Sequence, residues 1–453
     1  MKVLLVSSNV ATSPYPVYPL GMSMVAAAAR DAGHEVMLFD YLDSGKSLDA
    51  FADRIRTFQP NIIGVSIRNI DNVNLVHEER YLNNALLIVE RARRESDAKI
   101  VLGGPAFSIL PKRILEYTGA DYGVVGEGEE VFKQFLNSAE KGEYPPRGTI
   151  ISGEASLEGD AIPSAIYDRG IIAHYMERGS IASIQTKRGC PLKCVYCSYP
   201  ALEGGAIRPR NPKRVVDDIE TLVNDHGVRY VFFTDNVFND DQGSYLDVLR
   251  EMEAREVKVS WSAFLKPSGL TPDIVDLMKR TGVGAAELGT DAACDTALKG
   301  QRKPFNWSDV VETNGMLMGA KIPTAHYFMF GGPGETPDTV REGVENLRNL
   351  KCSAAFVFMG IRILPDTVLR DIAISEGVIG EDEDLFDPVY YISQKLDREW
   401  LEEYLTESFK DVRYVLFPPD SFDDKLQLLY KLGYHGSLWE LLDPSLTRAR
   451  KKG

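Results

Sequence analysis

The stretch Arg188-Gly189-Cys190-Pro191-Leu192-Lys193-Cys194-Val195-Tyr196-Cys197 holds three of the chain's five cysteines, spaced C-x₃-C-x₂-C. Thiolates are the usual ligands of iron–sulfur cubanes, most often four to a cluster. Three held this closely can bind three irons of a [4Fe–4S] cluster and leave the fourth open to a small chelating ligand. Cys294 and Cys352 lie far downstream without paired spacing, so no fourth thiolate is supplied locally. A structural zinc site would want four ligands, commonly in two paired knuckles. No second pair follows, and the nearest histidine downstream, His226, stands alone. Disulfides are disfavoured in a chain with so few cysteines and no apolar leader.

The C-x₃-C-x₂-C spacing, with Tyr196 just before the last cysteine, resembles the signature of the radical S-adenosylmethionine (SAM) enzymes. The resemblance implies that Cys190, Cys194 and Cys197 are metal ligands. It also implies that the open iron binds the amino and carboxylate groups of SAM, which an electron then cleaves to a 5′-deoxyadenosyl radical.

Around that motif the composition is that of a globular protein. The 453 residues predict two to three domains at about 150 each. Apolar residues make up 44% and charged residues 26%, enough to build full cores. A net charge of −15 argues against a general nucleic-acid binder, which needs a basic footprint. The opening run Met1-Lys2-Val3-Leu4-Leu5-Val6 reads as a first strand, and no stretch reaches the ~18 apolar residues of a membrane span. A reducing cytoplasm is the expected compartment, which suits free thiols.

The first part of the chain alternates short apolar strands with amphipathic helices. Strands are expected at 2–7, 35–39, 61–66, 99–103 and 122–125, and helices at 23–32, 48–58 and 78–95. This rhythm predicts a doubly wound, Rossmann-like parallel sheet with helices on both faces. Ligands of such sheets bind beyond the carboxyl ends of the strands. Four unusual loops fall there: the Pro- and Tyr-rich segment 8–21, Ser66-Ile67-Arg68-Asn69-Ile70-Asp71-Asn72, Gly103-Gly104-Pro105 and Gly126-Glu127-Gly128-Glu129. Glycines in such loops let backbone approach a large ligand. A plain flavodoxin-like or nucleotide-binding domain has a similar outline, since fold alone does not fix a ligand.

Upstream of a radical SAM motif, these loops resemble the cobalamin-binding domain of the cobalamin-dependent radical SAM family. The resemblance assigns cobalamin contacts to Leu20, Gly21, Ser66, Arg68, Asn69, Gly103, Gly104, Pro105, Gly126, Glu127, Gly128 and Glu129. The chain lacks the Asp-x-His-x-x-Gly motif that supplies a histidine to cobalt in many relatives; His34 and His77 stand outside any such pattern. The resemblance then implies cobalamin with its own base displaced. Arg68, just past a strand end, would lie against the lower corrin face, as in similar tryptophan-methylating enzymes. A guanidinium has no lone pair to donate to cobalt. The alternative pairs Arg68 with Asp71 or with a cobalamin amide.

Residues 1–145 are therefore expected to form the cobalamin-binding domain and 146–180 a linker rich in Pro and Gly. Residues 181–365 repeat strand and helix about six times, matching the open (β/α)₆ barrel implied by the radical SAM resemblance. Chemistry in barrels sits at the C-terminal ends of the strands. The family resemblance places Tyr196 against adenine, or else in the barrel core, and Asp235-Asn236 near the SAM amino group. It places Asp291 near the ribose hydroxyls, where many relatives carry Glu. Arg362 is set against either the SAM carboxylate or a neighbouring acid. The Gly331-Gly332-Pro333-Gly334-Glu335-Thr336 turn is read as fold evidence. Residues 366–453 are expected to form a small helical cap, with a frayed basic tail at 448–452.

Together the resemblances imply a cobalamin-dependent radical SAM methyltransferase that uses a [4Fe–4S] cluster, SAM and cobalamin. It would methylate a carbon of a small organic substrate and draw electrons from a flavodoxin or ferredoxin. Methyl transfer without the adenosyl radical is the polar variant. Cyclisation or rearrangement on the same cofactors, and a non-catalytic sensor, are the rival readings. No general base is nominated.

Overall fold

The computed structural model describes residues 1–153, 156–179 and 181–442. The basic segment 448–452 lies outside them.

The first sheet has six parallel strands in the order Glu35–Asp40, Lys2–Ser7, Ile62–Ser66, Lys99–Gly103, Tyr122–Val125 and Ile150–Ser152. Its central strand shows why the sequence reads as a continuous apolar run. Val3 and Leu5 enter one core while Leu4 and Val6, on the opposite face, enter another. Alternate side chains of a strand point to opposite faces, and helices cover both faces here. Helices Leu20–Asp31 and Gly128–Glu140 pack on one side, and Leu48–Phe58 and Leu82–Glu95 on the other. The strand order reverses at Lys2–Ser7, which opens a crevice at its carboxyl end.

Two helix starts differ from expectation by three residues or more. The helix expected from 78 begins at Leu82, because residues before it double back: Asp71 and Arg80 form an isolated bridge, and Asn72 N–H donates to Glu79 C=O at 3.1 Å. The helix expected from 23 begins at Leu20, so Leu20 and Gly21 are its first turn.

The second sheet is also parallel. Its order is Val415–Leu416, Ala354–Met359, Thr324–Phe330, Val283–Asp291, Ser260–Leu265, Tyr230–Phe233 and Ile181–Ile184. Six strands are those expected of the barrel. The seventh comes from the C-terminal region, which also supplies helices Val368–Ser375, Arg398–Phe409 and Asp423–Lys431. Two residues are too few to show a strand period, so periodicity could not reveal Val415–Leu416. Trp439 from the same region is fully buried among Phe232, Ala285 and Phe356. Among the described residues no helix is long and apolar enough to cross a membrane.

Candidate functional site

A cleft of about 2230 Å³, part of it open to solvent, runs between the carboxyl edge of the first sheet and the barrel. Leu20, Gly21, Ser66, Arg68, Gly103, Gly104, Pro105, Gly126, Glu127, Gly128 and Glu129 all line it. Asn69 does not; it is half-buried. The glycine at 104 is required there. Its φ is +95°, and a Cβ would come within 2.6 Å of Ile67 C=O. Arg68 is exposed in the cleft and makes no hydrogen bond or ion pair among the described residues. Asp71 is not its partner, because Arg362 takes that carboxylate at 2.9 Å. A broad, glycine-edged cleft with one unpaired guanidinium at its rim suits a large planar macrocycle.

The Gly126–Glu129 loop does two jobs. Its backbone faces the cleft while its carboxylates reach across to the barrel. Glu129 accepts from Arg188, with Nη1 3.2 Å from Oε2, and Glu127 is bound by Arg208, whose Nη1 lies 3.1 Å from Oε2. Burial alone would lower the Arg188 guanidinium's pKa; Glu129, backed by Glu127 and Glu203, outweighs it and holds the group above its ordinary value.

Arg188 leads directly into the cysteine loop. Cys190, Cys194 and Cys197 are free thiols, the first buried and the others half-buried. Burial pushes the Cys190 thiol up, and the Cys197 thiol to about 12. Metal binding would have to offset that by taking the thiolates. Among the described residues no three His, Cys, Asp or Glu side chains are gathered for one ion. A cubane spreads its thiolates over separate irons, so these sulfurs need not converge on a point. The loop is tied to the barrel by Val195 N–H donating to Gln301 C=O at 3.2 Å. It fits a cluster by its donor set and lies between Arg188 and Tyr199, which both line the cleft.

Sequence reasoning missed the side chain beside it. Lys303 Nζ lies 3.3 Å from Cys194 Sγ and 3.0 Å from Tyr196 Oη. It pairs with Asp291, whose carboxylate also accepts from Tyr196. Asp291 and Tyr196 are thus brought together with the cysteine loop, through a lysine that belongs to no local motif.

Other expected contacts are engaged elsewhere. Asp235 is 1% exposed and accepts from Thr186 N–H at 2.7 Å and from its hydroxyl at 2.5 Å. Lys187 Nζ sits 3.3 Å away, so this carboxylate holds the start of the cysteine loop. Asn236 donates to Glu203 Oε2 at 2.7 Å, and Glu203 also receives Gly189 N–H. Arg362 is 4% exposed and spends its donors on Asp71, Ile363 C=O and Leu385 C=O. Of the two settings for Arg362, the neighbouring acid is the one observed, and it ties the first domain's loop to the barrel.

The barrel end of the cleft was also invisible to motif reading. Glu287, on strand Val283–Asp291, is 1% exposed and lines the cleft. It accepts from Tyr327 Oη at 2.5 Å, Tyr15 Oη at 3.3 Å and Trp439 Nε1 at 3.3 Å. Burial raises its pKa against those hydrogen bonds. Phe232 and Phe264 stand beside it in the same wall. Of the four partner sites on a carboxylate, three are taken among the described residues.

Comparison with known proteins fits this geometry. Residues 6–136 match the B12 binding domain family, and residues 184–347 match the radical SAM superfamily. The chain is 23% identical over 433 residues to tryptophan 2-C-methyltransferase of Streptomyces laurentii, covering 77% of this chain and 71% of that protein. It is 28% identical over 347 residues to an anaerobic magnesium-protoporphyrin IX monomethyl ester cyclase of Cereibacter sphaeroides, covering 72% of this chain and 55% of that one. The fold superimposes with a TM-score of 0.87 on the radical SAM methyltransferase TsrM from Kitasatospora setae, solved with tryptophan and the SAM analogue aza-SAM. That match spans 100% of this chain and 99% of TsrM at 23% identity.

Proposed function

We propose that this chain, which carries a B12 binding domain and a radical SAM domain, is a cobalamin-dependent radical SAM enzyme that transfers a methyl group from SAM, by way of bound cobalamin, to a carbon of a small organic substrate. Cobalamin supplies the methyl carrier, and the iron–sulfur cluster with SAM supplies reductive cleavage and the methyl donor. The chain's own residues bind and align these groups. Cys190, Cys194 and Cys197 hold the cluster. Leu20, Gly21, Ser66, Arg68, Gly103, Gly104, Pro105 and the Gly126–Glu129 segment would hold the corrin, with the Arg68 guanidinium facing it. Asn236, Asp235 and Arg362 brace the cysteine loop and the domain contact. The observation that carries this reading is the single cleft, which joins those four loops to both flanks of the cysteine loop.

The substrate end of that cleft is aromatic and contains one buried carboxylate, Glu287. An aromatic substrate bearing an N–H donor suits it. Tryptophan, the substrate named for the Streptomyces laurentii relative, is the first compound to try. Electrons would come from a flavodoxin or ferredoxin in a reducing cytoplasm.

The test is anaerobic reconstitution with iron, sulfide and cobalamin, then incubation with SAM, reductant and tryptophan or related indoles. The expected product is heavier by one CH₂ and forms together with S-adenosylhomocysteine. Wild-type protein should bind about four irons, and Cys190→Ala should lose them together. A product of lower or unchanged mass would replace methylation by cyclisation or rearrangement. Failure to bind either cofactor would end the reading.

A further inference from the structure

Lys303 follows helix Asp295–Gly300, at the end of a turn in which Lys303 N–H donates to Leu298 C=O at 2.9 Å. Its side chain is only 4% exposed. An ammonium group is strongly hydrated, so one held out of water needs several partners. Lys303 finds three at the cysteine loop: the Asp291 carboxylate, Tyr196 Oη at 3.0 Å and Cys194 Sγ at 3.3 Å. Its Nζ also lies 5.3 Å from the Tyr196 ring centroid. The neighbouring loop is fastened independently, because Val195 N–H donates to Gln301 C=O. Lysine and cysteine loop are therefore held in register by backbone as well as by side chain.

We propose that in the cluster-loaded protein Lys303 donates to Cys194 Sγ and sets the reduction potential of the cluster, with Asp291 as the counter-charge to Lys303 rather than as a ribose contact. Hydrogen bonds to ligating sulfur and nearby charge are among the means by which a protein tunes such potentials. Reduction adds one electron, and thus one negative charge, to a site whose sulfur faces the ammonium. The positive charge therefore favours the reduced form and raises the potential. Asp291 opposes it. The pair divides the control: the lysine raises the potential, the aspartate lowers it, and the Tyr196 hydroxyl orients both. Lys303 acts through Cys194, so it is a positioning residue.

This rests on the reading of Cys190, Cys194 and Cys197 as cluster ligands, and the experiment separates the two. Wild-type, Lys303→Met, Lys303→Arg and Asp291→Asn proteins are reconstituted anaerobically without SAM. Iron is counted, and each is titrated with dithionite, the electron donor, while the reduced signal is followed by electron paramagnetic resonance. Lys303→Met should take up iron as wild type does and show a lower midpoint potential. Lys303→Arg should restore much of the difference, and Asp291→Asn should shift the potential upward. Opposite signs in the two charge variants are the signature, since loosened packing would not produce them. Should Lys303→Met fail to load iron, the upward shift in Asp291→Asn still decides. Unchanged potentials, or shifts of one sign in both, overturn the Lys303 proposal and leave the cluster reading intact. Wild-type protein that takes up no iron removes the cluster reading itself.

Discussion

The Arg188 guanidinium and the Glu129 carboxylate meet across the two domains, both side chains only 6% exposed, with Nη1 3.2 Å from Oε2. Arg188 lies two residues before Cys190, and Glu129 sits in the first turn of helix Gly128–Glu140, at the cleft wall. Together with Glu127–Arg208 and Asp71–Arg362, this pair sets the distance between the two cofactor surfaces. Removing one partner of a buried pair typically costs about 3–5 kcal/mol, and Glu127, 3.8 Å from Arg188, would offset part of that here. Glu129→Ala should lower the unfolding free energy, read from urea titration, by up to that order and weaken cobalamin binding. The double variant Glu129→Ala/Arg188→Met should recover most of the stability without recovering cobalamin affinity. Equal stability of Glu129→Ala and wild type would show that the pair does not hold the domains.

Arg68 offers a spectroscopic test. It lines the cleft without a hydrogen-bond partner among the described residues, and Arg362 has already claimed Asp71. A guanidinium cannot ligate cobalt, so bound cobalamin should show the absorbance of the base-displaced form. Its reduced cobalt should show no nitrogen splitting in electron paramagnetic resonance. Arg68→His should introduce that splitting, because neutral imidazole is a good ligand. Nitrogen splitting already present in wild type would remove Arg68 from beneath the corrin.

The features readable from the chain were those whose chemistry is local. The C-x₃-C-x₂-C spacing, the Gly103-Gly104-Pro105 turn and the strand–helix rhythm each sit within a few residues, so type and spacing carry them. Eleven of the twelve expected loop residues line one cleft, Asn69 being the exception. Lys303, Glu287 and Trp439 were not legible, because each gains its role from partners far along the chain. Trp439 lies 152 positions from Glu287, and Lys303 lies 109 from Cys194. Asp235 shows the converse. Its local motif placed it at the right strand end, but only the folded chain shows that Thr186 and Lys187 occupy its carboxylate.

Glu335 gives a pH prediction. It is 2% exposed, and its Oε2 accepts from Gly331 and Gly332 N–H at 2.8 and 2.6 Å. Burial raises its pKa to about 7 against those two hydrogen bonds, from 4.5 in the unfolded chain. The folded state binds this proton more tightly. Its contribution to stability is therefore present below pH 4.5 and is lost as pH rises to about 7. Glu335→Gln removes the titration while keeping an acceptor. The stability of wild type minus that of the variant should fall across this window, with a slope approaching about 1.4 kcal/mol per pH unit. Parallel stability–pH curves for the two proteins would show that Glu335 does not titrate there.

Glu287 tests the substrate end of the cleft. Three donors, from Tyr15, Tyr327 and Trp439, hold its carboxylate in the barrel interior. If the remaining acceptor position receives an N–H of the substrate, neutralising the carboxylate should weaken that contact. Hydrogen bonds to charged groups contribute about 1.5–3 kcal/mol, so Glu287→Gln should raise substrate Kd on the order of 10- to 100-fold. Iron content and cobalamin binding should stay at wild-type levels, since Glu287 lies on strand Val283–Asp291, outside the cysteine loop and the cobalamin-side loops, and Tyr15 of segment 8–21 can still donate to the amide oxygen of the variant. Tyr327→Phe, which leaves the carboxylate charged, should have the smaller effect. Isothermal titration with tryptophan or the active indole measures each Kd directly. An unchanged Kd in Glu287→Gln would move the substrate away from this carboxylate and toward the Arg68 side of the cleft.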